Sequence, residues 1–361
     1  MKAVSDRISI RQAVIIFVLM IGAPSLRVIP NYISRLAGRS GWVSPFFSLL
    51  FSILLVFVLA SLFKNKTGSM YNVFEDVYGR VISKILSLIY IIWCIFMASF
   101  YLRMYGERFI ETIVFDANIT SIIILMAVFV LFIVNQKIDV LGRMAEILIL
   151  FFVGVVVVVF FIIVSNIKLE NLWPVTHYDL IPSLKGSTAL LSLSVYLTTI
   201  MFLGDKISNK DKLIKTGIKG MILLHILAII IVLSTIGLIG YRLNSQLLFP
   251  YFATLKNIDI LNTFEHVESL VISIWLGADV AIISVFVMTV MNLIKQSYKR
   301  LYNKRISVWI MIVVALISLT FVDNVYDAEK IARLYTGNIS LVLFGVIPIL
   351  TWIVGKIRKV V

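Results

Sequence analysis

The sequence predicts an all-α integral membrane protein of about ten transmembrane helices, folded as two inverted halves of five. Three observations carry that prediction. The 361 residues are 60% hydrophobic and only 14% charged, with a mean hydropathy of +1.03, well beyond the apolar share of an ordinary water-soluble domain. Lysine and arginine alternate in abundance from one connection to the next. The first span of each presumed half is irregular at a matching position.

Crossing roughly 30 Å of hydrocarbon takes about 20 apolar residues, and ten stretches qualify: 10–33, 42–63, 82–105, 119–135, 143–165, 187–204, 216–240, 268–294, 306–322 and 337–355. The opening "MKAVSDRISIRQAVIIFVLMIGAPS" also has the basic end, short apolar core and small residues of a signal peptide. Apolar character resumes past Pro24, which favours a first span. Orientation follows from the basic residues. With the N-terminus inside, the cytoplasmic side carries 22 Lys and Arg and the opposite side ten, two per connection, leaving Arg27 within the membrane. Both termini are therefore expected in the cytoplasm, and residues 1–361 form one transmembrane domain.

The halves run approximately 10–165 and 187–357. Span one contains Gly22 and Pro24; span six, "KGSTALLSLSVYLTTIMFLGDK", is short and rich in Ser and Thr. Each half also has a long amphipathic second connection, "MYNVFEDVYGRVISK" before span three and "QLLFPYFATLKNIDILNTFEHVE" before span eight. A five-span repeat reverses its second copy, and interrupted helices at matching places of inverted halves point to a substrate site near the bilayer midplane. Non-helical backbone is tolerated at that depth only where it is enclosed by protein or lines a cavity.

The chain is similar at several such places to the B subunits of endospore germination receptors (the GerAB/GerKB type), within the amino acid-polyamine-organocation transporter superfamily. The similarity rests on "ISIRQAVIIFVLMIGAPSL" with Pro30, "AGRSGWVSPF", "VYGRVISKILSLIY" and "FPYFATLKNIDILNTFEHVESLVISIW". It implies a LeuT-like fold with broken helices one and six, residence in the spore inner membrane, and recognition of a small nutrient germinant such as an amino acid. It also implies assembly with a larger membrane-embedded A subunit and a C lipoprotein. Two positions depart from the family pattern: Thr198 stands where span six usually has an acidic residue, and Arg27 follows the span-one break where an aliphatic residue is usual.

The candidate ligand-binding residues are Gly22, Pro24, Ser25 and Arg27 on span one, Trp93 on span three, Ser194, Tyr196, Thr198 and Thr199 on span six, and Trp275 and Asp279 on span eight. Each has a plainer reading. Gly and Pro kink many membrane helices, and Ser and Thr hydrogen-bond between them. Tyr90, Trp93 and Tyr101 also fit packing aromatics; His225 fits a hydrogen-bonded structural residue; Glu265 and Glu268 fit solvated charges at the outer mouth of span eight. A carboxylate is expected to meet N–H groups freed after Gly22. Arg27 and Asp279, both intramembrane, are expected to pair with each other, against the alternative that Arg27 reaches the outer interface.

The single cysteine, Cys94, allows no disulfide within the chain, and three scattered histidines are a poor metal set. No cofactor is expected. Short basic clusters between spans fit a surrounding of membrane lipid rather than nucleic acid. Paired carboxylates, a nucleophile beside a base and a phosphate-cradling glycine loop are all missing from the sequence pattern, so an enzyme is the weakest class. Two functions remain open: a germinant-sensing receptor subunit, and a working amino acid transporter coupled to H⁺ or Na⁺.

Overall fold

The computed structural model describes residues 6–64, 66–112, 117–256, 267–303, 305–322 and 325–361. Seven of its helical segments are long and apolar enough to cross a membrane, and three shorter ones, Ile10–Leu26, Ile119–Val134 and Ile306–Thr320, complete the pattern. Together they fall on the ten predicted spans.

In chain order the helices are α1 (Ile10–Ala37), α2 (Ser44–Leu62), α3 (Met70–Thr112), α4 (Ile119–Val134) and α5 (Ile138–Val164). They continue as α6 (Leu180–Ser194), α7 (Leu197–Met201), α8 (Leu213–Asn244), α9 (Pro250–Lys256), α10 (Val267–Ser297) and α11 (Ile306–Thr320). The last span is α12 (Val325–Ile331), α13 (Gly337–Ser340) and α14 (Ile347–Ile357), joined by wide π-helical turns at Ala332–Thr336 and Leu341–Val346. Two short strands, β1 (Ile8–Ser9) and β2 (Ile207–Ser208), pair in parallel. Among the described residues this pairing is the one β element added to a chain read as all-α, and it sets the starts of α1 and α8 side by side.

Local signals in the sequence account for several boundaries. Ser9 and Gln12 close a capping box at the start of α1: the Gln12 amide N–H donates to Ser9 Oγ at 3.2 Å, and the Ser9 N–H donates to Gln12 Oε1 at 3.0 Å. Gly79, with φ of 81°, separates the amphipathic start of α3 from its membrane portion. That left-handed conformation is where an L side chain is strained and glycine is not.

Span six is interrupted as predicted, with Val195 and Tyr196 in a turn between α6 and α7. Span one differs. Its backbone stays helical from Ile10 to Ala37 with Pro24 and Pro30 inside, so the interruption is one of hydrogen bonding. Neither proline has an N–H, which leaves the carbonyls of Met20 and Leu26 without the usual donor four residues on. The groups released are acceptors, not the N–H donors expected after Gly22.

The centre of the bundle is α10. In an 18-residue apolar stretch of Trp275–Ser297, 83% of residues are buried, against 28% in the corresponding stretch of Ile138–Val164 of α5, as fits a helix apolar on all sides. It packs along α3 and α1. At the end of the molecule holding the N-terminus, Lys210 Nζ donates to the carbonyls of Lys66 and Gly68, at 3.2 and 2.6 Å, and lies over the Phe63 ring. Asn292 on α10 donates to the Phe202 carbonyl at 2.7 Å and to Asp205 at 2.8 Å. These contacts tie the α2–α3 and α7–α8 connections together.

Candidate functional site

A cavity of about 60 Å³ opens among α1, α3, α6 and the last span. Pro24 and Tyr32 of α1 face Phe100 and Tyr101 of α3. Thr188, Ser192 and Tyr196 meet Thr336, Gly337 and Asn338 across it. Every polar group in this lining is a hydroxyl or an amide, and none of the lining residues carries a formal charge.

The cavity lies where three elements depart from regular α-helix: the prolines of α1, the turn between α6 and α7, and the π turns of the last span. π turns are frequent at functional sites because they displace backbone groups from the α-helical ladder. Here the carbonyls of the second turn serve other helices: Tyr90 donates its hydroxyl to the Leu343 carbonyl, and Thr198 Oγ1 donates to that of Phe344 at 2.7 Å. Ser340 gathers two more side chains. Trp93 Nε1 donates to its Oγ at 3.3 Å, and the Tyr196 hydroxyl lies 3.2 Å from it. Tyr196 packs edge-on against Phe286 and Phe344 at 5.4 and 5.7 Å, and Tyr101 stacks on Phe286 at 6.0 Å. Each such ring pair contributes about 0.5–1.5 kcal/mol beyond its buried area, so the aromatic floor is held firmly.

The structure thus brings Trp93, Tyr196 and Thr198 together on the last span, while Pro24 and Tyr196 line the cavity itself. Gly22 faces α5 instead, where an added Cβ would stand 3.0 Å from the Phe152 ring. Ser194 turns its hydroxyl onto the Leu190 carbonyl of its own helix at 2.9 Å. The buried hydroxyls of Ser25, Thr199 and Ser284, on α1, α7 and α10, have no protein partner. An unpaired buried hydroxyl costs about 1–3 kcal/mol, which suits a group reserved for a ligand.

Asp279 lies on α10 as predicted, but its partner is Arg108 of α3, in a buried ion pair. The Arg108 guanidinium also sits 5.0 Å from the centre of the Trp275 ring. Arg108 reaches Asp279 because α3 stays helical to Thr112 and carries Arg103 and Arg108 into the packed α3–α10 interface, where both are buried; the expected Arg27–Asp279 pair falls on a side chain outside the described residues. The side chains of Arg27 and Glu268, and the whole of Glu265, lie outside the described residues. Arg103 bonds to Glu107 one turn on, at 2.7 Å. His225 is structural as read: its Nδ1 meets the Met221 carbonyl at 2.7 Å and its Nε2 lies 3.5 Å from Ser52 Oγ.

Sequence reasoning missed Arg108, counted as a loop charge, and the polar run "YTGNIS" of the last span. Its Thr, Gly and Asn inside an apolar stretch are the signal that could have found it. Among the described residues no cluster of His, Cys, Asp and Glu could hold a metal ion.

The family model described as spore germination protein (spore permease) matches residues 7–328. Among curated proteins, spore germination protein KB of Bacillus subtilis (strain 168) is 23% identical over 268 residues, 73% of this chain and 71% of that one. Spore germination protein YndE of the same organism is 20% identical over 98% of both chains. Among solved structures, a Na⁺-coupled sialic acid symporter in a substrate-bound outward-open state has a TM-score of 0.65 at 14% identity, covering 94% of this chain and 78% of that one. MhsT in complex with L-phenylalanine has a TM-score of 0.60 at 13% identity, covering 91% and 87%. These likenesses show the LeuT-like fold. With the family model matched across most of its length, the chain belongs to the spore germination protein (spore permease) family.

Proposed function

We propose that this protein is the germinant-sensing, transporter-like subunit of a spore germination receptor, and that its cavity takes a small nutrient such as an amino acid. The observation that carries this reading is an uncharged cavity of hydroxyls and aromatic rings at a place where three elements leave the α-helical ladder. Relatives named as spore germination proteins supply the setting, and a structural neighbour holding L-phenylalanine shows that the fold accommodates an amino acid. The hydroxyls of Tyr101, Thr188, Ser192, Tyr196 and Thr336 and the amide of Asn338 suit the polar groups of such a ligand, and the rings of Tyr32 and Phe100 its apolar part. Binding energy spent on one arrangement of α1 against the last span shifts the population of two conformations. A neighbouring A subunit, with a C lipoprotein, would read that shift in the spore inner membrane.

A panel of amino acids titrated onto the purified protein tests the proposal. Ser192→Leu and Thr336→Leu each place bulk in the cavity and should abolish binding while leaving the thermal unfolding profile in place. Unchanged affinity in both variants would move the site elsewhere. The buried Arg108–Asp279 pair favours a second reading, a coupled transporter, because intramembrane ionisable groups often mark ion pathways. Uptake into proteoliposomes driven by a H⁺ or Na⁺ gradient would support it; binding without uptake supports the sensor.

A further inference from the structure

A second, larger cavity of about 660 Å³ lies apart from the first, between α1, α5 and α8. It is two-tiered. One end is lined by Arg11 of α1 and by Lys212, Lys215 and Lys219 of α8 and the turn before it. Among the described residues none of these four cations enters an ion pair or hydrogen bond. The other end is lined by Val14, Val18, Ile149 and Leu223.

The tiers follow from helix geometry. Lys212, Lys215, Lys219 and Leu223 recur at three- and four-residue intervals, which sets them along one face. From Arg11 to Val18 on α1 and from Lys212 to Lys219 on α8 are each seven residues, about 10 Å of rise. Gly220 meets Val14 and Val18, so Arg11 and Lys212 lie above the apolar residues while Lys219 stands at the height of Val14 with Leu223 one turn further in. The α1 and α8 backbones approach closely at Gly220, where a Cβ would strike Val14, and this contact closes the inner wall. The β1–β2 pairing sets the beginnings of α1 and α8 side by side, so the positive dipole ends of two long helices add to the four cations. Flanking residues Ile222 and Ile226 of α8 and Leu150 and Phe151 of α5 are exposed and apolar, as a face toward lipid requires.

We propose that this groove is a binding site for an anionic phospholipid. The headgroup phosphate sits among Arg11, Lys212, Lys215 and Lys219, and the acyl chains follow Val14, Val18, Ile149 and Leu223. A free phosphate compound would match the upper tier only, leaving the apolar tier to open water. Occupancy would brace the first half of α1, the helix whose later turns line the uncharged cavity.

Native mass spectrometry of the purified full chain, titrated with phosphatidylglycerol or phosphatidylcholine, tests this. Wild type should retain phosphatidylglycerol in clear preference. Lys215→Gln and Lys219→Gln should each weaken retention about fivefold, from roughly 1 kcal/mol per cation near an anionic surface. The control triple change Lys299→Gln, Arg300→Gln and Arg305→Gln, in a separate basic cluster, should leave it unaltered. Leu223→Trp keeps every charge but fills the lower tier, and should also reduce retention. Equal losses in the control, equal retention of both lipids, undiminished retention in Leu223→Trp, or displacement of the lipid by millimolar inorganic phosphate would each overturn the proposal.

Discussion

Asp279 shows how far a single residue could be understood from its neighbours in the chain. A lone carboxylate in "WLGADVAIIS" needs a cation, because an unpaired charge at mid-membrane costs roughly 2.5–3.5 kcal/mol on insertion scales. The need is local; the identity of the partner depends on how far α3 extends and how α3 packs on α10. Removing either Arg108 or Asp279 alone should destabilise the protein by about 3–5 kcal/mol, since each change strands a buried charge. Arg108→Met with Asp279→Leu should recover most of that loss, read as unfolding temperature in detergent; additive losses would argue against the pair. Thr198 is a milder case. Thr198→Val removes only the bond to the Phe344 carbonyl and should cost about 0.6 kcal/mol, the average for interhelical hydrogen bonds in membranes, and at most about 1.7 kcal/mol.

Helices in this bundle are held as much by missing side chains as by present ones. Gly217 and Gly220 of α8 lie against Val56 of α2 and Val14 of α1, and a Cβ at Gly217 would stand 2.8 Å from Val56. Small residues at such crossings let backbones approach where no hydrophobic force separates helix from lipid. Gly217→Leu should therefore lower the unfolding temperature sharply, whereas Gly154→Ala, where a Cβ meets nothing within 4 Å, should leave it level or raise it. Gly79→Ala tests a different cause: no atom obstructs the Cβ, but φ of 81° makes any cost purely conformational, about 1–2 kcal/mol. The last span stands out among the elements, because its π turns give it spare carbonyls for Tyr90 and Thr198. That wide geometry faces α3 and α7 and has no residue signature as plain as a proline.

For the molecule as a whole, the alternating basic residues predict which end faces the cytoplasm. Cysteine introduced at Asp211 should label only from the cytoplasmic side, and at Gln246 only from the other; both positions are exposed, and the native Cys94 is buried. Labelling of both from one side would overturn the orientation. Lys210 offers a second test, since it ties the α2–α3 connection to the turn before α8 through the Lys66 and Gly68 carbonyls. Lys210→Ala should speed hydrogen exchange at residues 66–69 while sparing the far ends of the same helices.

Membrane residence, the number of spans and the interruption of span six could all be read from residue order, because each depends on properties that act along the chain: hydropathy over about 20 residues, breaker residues and charge beside each span. The cavity could be read in part. Pro24 was recognisable as a helix breaker and Tyr196 by its place in the irregular span six, whereas Thr336, Gly337 and Asn338 entered it only because the last span packs across α3 and α6. The partner of Asp279, the gathering of Trp93 and Tyr196 on Ser340, and the meeting of Arg11 with Lys215 and Lys219 join residues far apart in the chain. Residue spacing cannot express such meetings. They are decided by which helix faces pack and at what height, a balance of close glycine contacts, interhelical hydrogen bonds and buried charge that exists only once the bundle has formed.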